Sequence, residues 1–366
     1  MLLNCTEKGF SLIELMISLT LGLLISAAVM QVYLTSIKTS SVQSGGTDIL
    51  EASIFGIQNI EKSIRLSNLG MADSNNPFTP LAGVVMTSDT SLVSASQTDK
   101  SKNNMNGIKM GGTVTSAGTD AIDAKYLTKS GIAASNITGL TSSQLTIQYE
   151  APQDMYDCEG TLVRGPIEIE RDGRLELIPG QVIVQRYYLR EVAQNDKSNY
   201  ESNIKSYELR CDAGRYVKEI LNSTELDLQK INDSTILKES RNIRDFGDIG
   251  EVVIPRVDYF GVLLGVEVVE PLTSSVTLRY FTPEQYISYL KGLATDSTIT
   301  TDIISVKLSA LVRADRPLTG ETGASNFIIF GEPKTLSEDT SKAFIRRVYE
   351  SNIMLRNSRA IKESSI

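Results

Sequence analysis

A chain of 366 residues with no histidine and no tryptophan lacks several chemistries before any motif is sought. Without imidazole there is no Ser-His-Asp or Cys-His nucleophile, no histidine metal ligand and no histidine proton shuttle, although carboxylate or lysine chemistry stays open. A net charge of −8 argues against a general nucleic-acid binder, while 41% apolar residues suffice for a packed core.

The first element in chain order is an apolar run. Residues 10–37 read FSLIELMISLTLGLLISAAVMQVYLTSI, and nothing between Leu15 and Ile37 is charged. As a helix those 23 residues span about 35 Å, more than the roughly 30 Å hydrocarbon core of a bilayer. An ordinary secretory signal has a shorter apolar core with its cleavage site afterwards; here the leader MLLNCTEKG comes first. Lys8 favours a cytoplasmic N-terminus with the rest of the chain outside, and Lys38 on the far flank keeps that bias weak. Glu14 lies inside the run, where an isolated carboxylate costs about 2.5–3.5 kcal/mol on insertion scales. It must find a partner or reach the headgroups.

The order Lys8-Gly9-Phe10-Ser11-Leu12-Ile13-Glu14-Leu15 resembles the cleavage and methylation motif of type IV prepilins. The resemblance implies that prepilin peptidase cuts after Gly9 and methylates the new amine of Phe10. It also implies that Glu14 meets the N-terminal amine of a neighbouring subunit during assembly. A cation from a neighbour is the kind of partner a buried carboxylate needs. Family members often carry a proline within the apolar helix, and this chain has none before Pro77.

The helix is expected to continue past the membrane. Leu50, Ile54, Ile57, Ile60 and Ile64 recur at three- and four-residue intervals, which predicts one apolar face. Gly45-Gly46 is a candidate weak point and Gly70 a candidate stop. A helix from Phe10 to Leu69 would be about 90 Å long, too long for a compact domain and suited to a half-embedded stem. Residues 71–142 are rich in Ser, Thr, Asn and Gly and read as loops with short strands. Half-buried strands are predicted at Leu145–Tyr149, Gln181–Arg190, Tyr207–Cys211, Val266–Val269, Ser275–Tyr280, Ile304–Val312 and Phe327–Phe330. A short helix fits Pro283–Leu293, and residues 191–250 read as a polar insertion over the sheet. The expected class is α+β and pilin-like. After a leader (1–9), a membrane half (10–37) and an amphipathic half (38–70) form one stem on an antiparallel β-rich domain (71–366).

If the leader leaves with Cys5, Cys158 and Cys211 remain in the exported part, where an oxidising compartment favours a disulfide. Closing that loop would stabilise the fold by about 4 kcal/mol on a chain-entropy model. Further resemblance narrows the family to PilW-type minor pilins. It rests on Glu61-Lys62-Ser63-Ile64-Arg65 running to Gly70, Asp157-Cys158-Glu159-Gly160, Leu209-Arg210-Cys211, Ile304-Ser305-Val306-Lys307-Leu308 leading to Val312-Arg313, Arg346-Arg347-Val348-Tyr349 and Leu355-Arg356-Asn357.

That resemblance implies a non-enzymatic subunit that primes fibre assembly at or near the tip. Motility, adhesion or DNA uptake would follow from the fibre. Implied partners are prepilin peptidase, minor pilins of the PilV, PilX, FimU and PilE types, the major pilin and a large tip adhesin. The subunit would sit in the inner membrane with its domain periplasmic before assembly, and on the surface pilus afterwards. A minor pseudopilin of type II secretion is the alternative, and a membrane-anchored enzyme or ligand-binding domain is a third class. Neither a GxxxxGK[ST] loop nor a D-x-[DN]-x-[DN]-G loop occurs, and two cysteines without histidine leave no tetrahedral zinc set. No catalytic residue, cofactor, metal site or direct nucleic-acid contact is assigned. Asp120, Asp123, Asp296 and Asp302 read as solvent-facing rather than calcium-binding. Arg346, Arg347, Arg356, Arg359 and Lys362 read as solvent faces of terminal strands.

Overall fold

The computed structural model describes residues 9–88, 102–110, 122–171, 173–218, 242–293, 298–318, 322–338 and 340–358. One helix, α1 (Leu12–Leu66), runs without a break through Gly45-Gly46. A capping box starts it: the Ser11 hydroxyl accepts from the Ile13 N–H, and the Glu14 carboxylate accepts from the Ser11 N–H at 3.0 Å. The helix ends before the expected Gly70. Ser67 caps it, and Asn68 takes the left-handed backbone, with φ of 69°. Asn68 holds that conformation because its buried side chain is tied on every side. Its Oδ1 accepts from the Ala72 and Gly83 N–H groups, and its Nδ2 donates to the Ala72 and Asn357 carbonyls.

The strands that follow are β1 (Lys109–Met110), β2 (Lys129–Ala133), β3 (Ser142–Glu150), β4 (Met155–Tyr156), β5 (Leu162–Val163), β6 (Ile167–Arg171), β7 (Arg174–Ile178), β8 (Val182–Glu191) and β9 (Tyr207–Tyr216). The second half adds β10 (Asn242–Ile243), β11 (Glu251–Ile254), β12 (Val257–Glu270), β13 (Ser275–Phe281), helix α2 (Pro283–Gly292), β14 (Thr300–Pro317), β15 (Asn326–Ile329), β16 (Glu332–Thr335) and β17 (Phe344–Met354). Two antiparallel sheets dominate, ordered β11-β9-β8-β3-β2 and β13-β12-β14-β17. Ile60 and Ile64 of α1 share a core with Leu145, Ile147 and Leu209 of the first sheet and Val306 and Leu308 of the second. The seven predicted strand segments all fall within or across these strands, and the predicted short helix is α2. Thr282 caps α2 with Gln285 completing the box, Pro283 opens it, and Tyr286 and Leu290 are buried beneath it.

Two regions differ from expectation. Residues 191–250 do not simply lie over the sheet: β9 is an interior strand of it, paired with β8 from Val182↔Tyr216 to Glu191↔Tyr207. Tyr207, Leu209, Cys211 and Ala213 alternate inward, and the strand predicted at Tyr207–Cys211 extends to Tyr216 inside the sheet rather than lying over it. Residues 219–241 of that stretch lie outside the described residues. The Ser/Asn-rich stretch after α1 is held by buried asparagines. Asn75 accepts from the Val84 N–H and donates to the Ile303 carbonyl, while Asn104 accepts from Met86 and Thr87 and donates to the Asn76 and Thr79 carbonyls. Such side chains replace ladder bonds that irregular backbone lacks.

Candidate assembly site

The free half of α1 is an uncovered apolar rod. Phe10 is 87% exposed, and every large apolar side chain from there to Ile37 lies open. Among the described residues nothing packs on its most apolar window. Gly9, Phe10 and Glu14 sit at the tip of this rod. Glu14 lies roughly 70 Å along the helix from Ile60 at 1.5 Å per residue. Within a single chain the partner of Glu14 is its own helix start, through the Ser11 N–H. The spacing Ser11-x-x-Glu14 is itself a capping signature, and reading it only as an assembly motif missed this second role.

The rod meets the domain where Ser36, Ser40 and Ser44 face Tyr200, Arg316 and Pro317 across an open cleft. From there the buried face is Gly45, Ile49, Gly56, Ile60 and Ile64. Leu50 and Ile54 of the predicted stripe are exposed instead, at 37% and 41%. The reason is close approach by glycine. A Cβ on Gly56 would stand 2.2 Å from Ile254 Cγ1 and 2.9 Å from the Val253 carbonyl oxygen. Counting large apolar residues cannot register a contact made by the absence of a side chain. Glu61 adds a polar tie, accepting from the Ser351 hydroxyl at 2.6 Å while pairing with Arg65 at 3.1 Å.

Cys158 and Cys211 are bonded, with Cα atoms 6.2 Å apart. The bond joins the turn between β4 and β5 to β9, and it brings the carboxylates of Glu159, Asp212 and Asp248 together. Asp212 is fully buried and pairs with Arg186 at 2.6 Å, also accepting from the Gly247 N–H. Arg186 in turn lies over the rings of Tyr188 and Tyr126. Burial, reinforced by the charges of Asp248, Asp212 and Asp157, pushes the Glu159 carboxyl up to about 7. Burial likewise raises Asp212, with Arg186 opposing it.

A second charge network ties the other sheet together. Asp258 accepts from Arg346 Nε at 2.6 Å and from Asn136 Nδ2 at 2.7 Å, and Arg313 reaches Glu201 at 2.5 Å. Arg313, Arg346 and Asp258 have fully buried side chains. Arg346 is therefore no solvent-facing residue. It comes from an edge strand, and the buried carboxylate 88 positions earlier in the chain turns it inward. Burial lowers its pKa while Asp258 opposes that shift. Arg347 and Arg356 are exposed as expected, and Arg359 and Lys362 lie outside the described residues. Asp302 is not solvent-facing either: it accepts from the Ser74 hydroxyl and the Asn75 N–H, fixing the loop after α1. Asp123 is exposed and caps a 3-10 turn through the Lys125 N–H. Asp120 and Asp296 lie outside the described residues.

The sequence matches two family models. "Prokaryotic N-terminal methylation motif" covers residues 5–30, which include Gly9, Phe10 and Glu14. "Type IV Pilus-assembly protein W" covers residues 230–357, from the end of the polar segment through β17. No curated protein sequence matches the chain. A solved type IV-like pilin from Thermus thermophilus aligns at 12% identity over 60% of this chain and 81% of its own, with a TM-score of 0.24. The start of the chain, on a helix long and apolar enough to cross a membrane, is similar to the prepilin-type methylation motif. Further along, residues 230–357 are similar to the family of the type IV pilus-assembly protein W.

Proposed function

We propose that this chain is cut by prepilin peptidase between Gly9 and Phe10, methylated on Phe10, and built into a type IV pilus as a minor subunit that primes assembly near the tip. Its neighbours in this reading are other minor pilins, the major pilin and a large tip adhesin. The domain is periplasmic before assembly and exposed on the fibre afterwards. Its contribution is structural: packing through the stem, and surface from the domain. The observation that carries the reading is the bare apolar rod with one carboxylate near its tip. In lipid that carboxylate caps its own helix. In a fibre it faces the amine of a neighbouring Phe10.

The two roles of Glu14 separate by substitution. Glu14→Gln keeps a capping-box acceptor and removes the charge, whereas Glu14→Leu removes both, the cap alone being worth about 1 kcal/mol. A buried cation left without its partner costs about 3–5 kcal/mol. Both variants are expected to insert and be cleaved normally, yet to enter fibres poorly, read as the ratio of subunit in sheared fibres to subunit in membranes. A wild-type ratio for Glu14→Gln would reduce Glu14 to a helix cap. N-terminal mass spectrometry of the fibre fraction should show methylated Phe10, and an intact Met1 there would end the prepilin reading.

A further inference from the structure

The two large sheets present four edges among the described strands, and three of them are blocked. β2 is irregular around Gly131, which has φ of 73°, and its Ser130 N–H is already taken by Glu284 of α2 at 2.6 Å. β11 has four residues, shifts register between Val252 and Ile254, and runs into Pro255. β17 is held from both sides, by Glu61 of α1 on Ser351 and by the Phe330 N–H on Glu350. Bulges, short length, proline and covering elements are the usual devices that stop a sheet edge from recruiting another strand.

β13 has none of them. It pairs with β12 in unbroken register from Glu270↔Ser275 to Leu264↔Phe281, and its sequence SVTLRYF contains neither proline nor lysine. Its outward face is apolar at alternate positions: Val276 is 60% exposed, Leu278 49% and Tyr280 42%. Tyr280 lies over Gly265, close to where a Cβ would stand, and its hydroxyl accepts from Asn352 Nδ2 at 2.9 Å. The other face carries Thr277, Arg279 and Phe281, in register with the core residues Val268, Val266 and Leu264. Arg279 remains exposed on that side, 5.9 Å from the Tyr289 ring. An unpaired row of backbone donors and acceptors is satisfied by another extended backbone.

We propose that β13 is a pairing edge for an extended segment of a different protein chain. That segment carries apolar residues at alternate positions, against Val276 and Leu278, and a carboxylate across from Arg279. Backbone bonds supply the attachment, the apolar alternation sets which face turns outward, and the cross-strand charge pair sets the register. The assignment concerns the domain surface and stands apart from the roles of Gly9, Phe10 and Glu14.

The test uses the full chain in the cells that produce it, with a benzophenone photo-crosslinking residue at Val276 or Leu278 and, as control edges, at Ile132 or Val252. The expected adducts from Val276 and Leu278 fall in one segment of one other protein, two residues apart, because strand neighbours on one face recur with period two. Leu278→Lys and, separately, Arg279→Glu should each lower the Val276 yield about tenfold, the effect of roughly 1.4 kcal/mol on binding. An intact Cys158–Cys211 bond on a non-reducing gel confirms the fold of each variant. The proposal is overturned by adducts three or four residues apart, by adducts to lipid or to a second copy of this chain, or by equal yields at the control edges. Yields unchanged in both variants, or no adduct at all, overturn it equally.

Discussion

The rod and the domain solve the same problem in opposite ways. From Phe10 to Ile37 the chain exposes its apolar side chains and leaves them for lipid or neighbouring subunits to cover. The domain leaves little to others: its disulfide, its buried Asp258–Arg346 pair and the seat of α1 are all made within one chain. One helix belongs to both regimes, and the change of regime is written in its small residues. Gly45 lies against the Ala314 and Ile345 side chains and Gly56 comes close to Ile254 and the Val253 carbonyl, whereas Gly22 and Gly46 have open space around them. A continuous secondary structure can therefore carry two unrelated interaction surfaces, one made for the subunit's own core and one for its surroundings.

If the domain is self-sufficient, the largest effects on its stability come from its own buried groups. Asp258→Ala leaves Arg346 buried without its carboxylate and takes an acceptor from Asn136. Full-length protein in detergent, with its disulfide oxidised, should lose about 3–5 kcal/mol in thermal unfolding. A loss under about 1 kcal/mol would show that the network is solvated and the contrast overstated.

The next test lies within α1, where two glycines ten positions apart should answer in opposite directions. Gly46→Ala meets nothing within 4 Å, so it should stabilise the helix by about 0.5–1 kcal/mol. Gly56→Ala collides with Ile254 and the Val253 carbonyl, so it should cost about 1–3 kcal/mol. Equal effects in the same unfolding assay would mean that α1 is not seated at Gly56.

The smallest effect is in the acidic cluster beside the disulfide. In the folded chain Glu159 titrates near 7, above its ordinary 4.5, so the unfolded chain releases that proton first as pH rises. Its contribution to stability is greatest below about 4.5 and is lost as pH passes about 7. Glu159→Gln should flatten this slope and raise the melting temperature at pH 8. The gain should stay under about 1 kcal/mol because the carboxyl is half-exposed and screened. An unchanged pH slope would remove Glu159 as its source.

Local patterns were legible and non-local pairings were not. Alternation announced β3, β8 and β14, and Pro283 with Tyr286 and Leu290 announced α2. The prepilin motif was legible because its residues are contiguous, and the family match over residues 5–30 agrees with it. Burial of Arg346 depends on Asp258 arriving from another strand, so the residue looked like any surface arginine. Within residues 191–250 the alternation at Tyr207–Cys211 was legible as a strand, but its place inside the sheet, between β8 and β11, depends on partners far along the chain. Asn68 was passed over as a helix stop because Gly70, the stronger candidate by type, stood two residues away. What selects Asn68 is its set of partners, one of them Asn357, 289 residues later in the chain.

That last bond has a consequence for the order in which the chain folds. The seat of α1 is built largely from β14 and β17, which begin at Thr300 and Phe344, and the end of α1 is tied to Asn357. Contacts of such long sequence separation form late, because the intervening chain must first be brought together. During synthesis the helix is complete while most of its seat is still untranslated. Ile60 and Ile64 therefore lack the Val306 and Leu308 side of their core until β14 has been made, and Asn68 lacks its Asn357 partner until β17 has followed it. The stem is the first part of this subunit to be made and among the last to be seated.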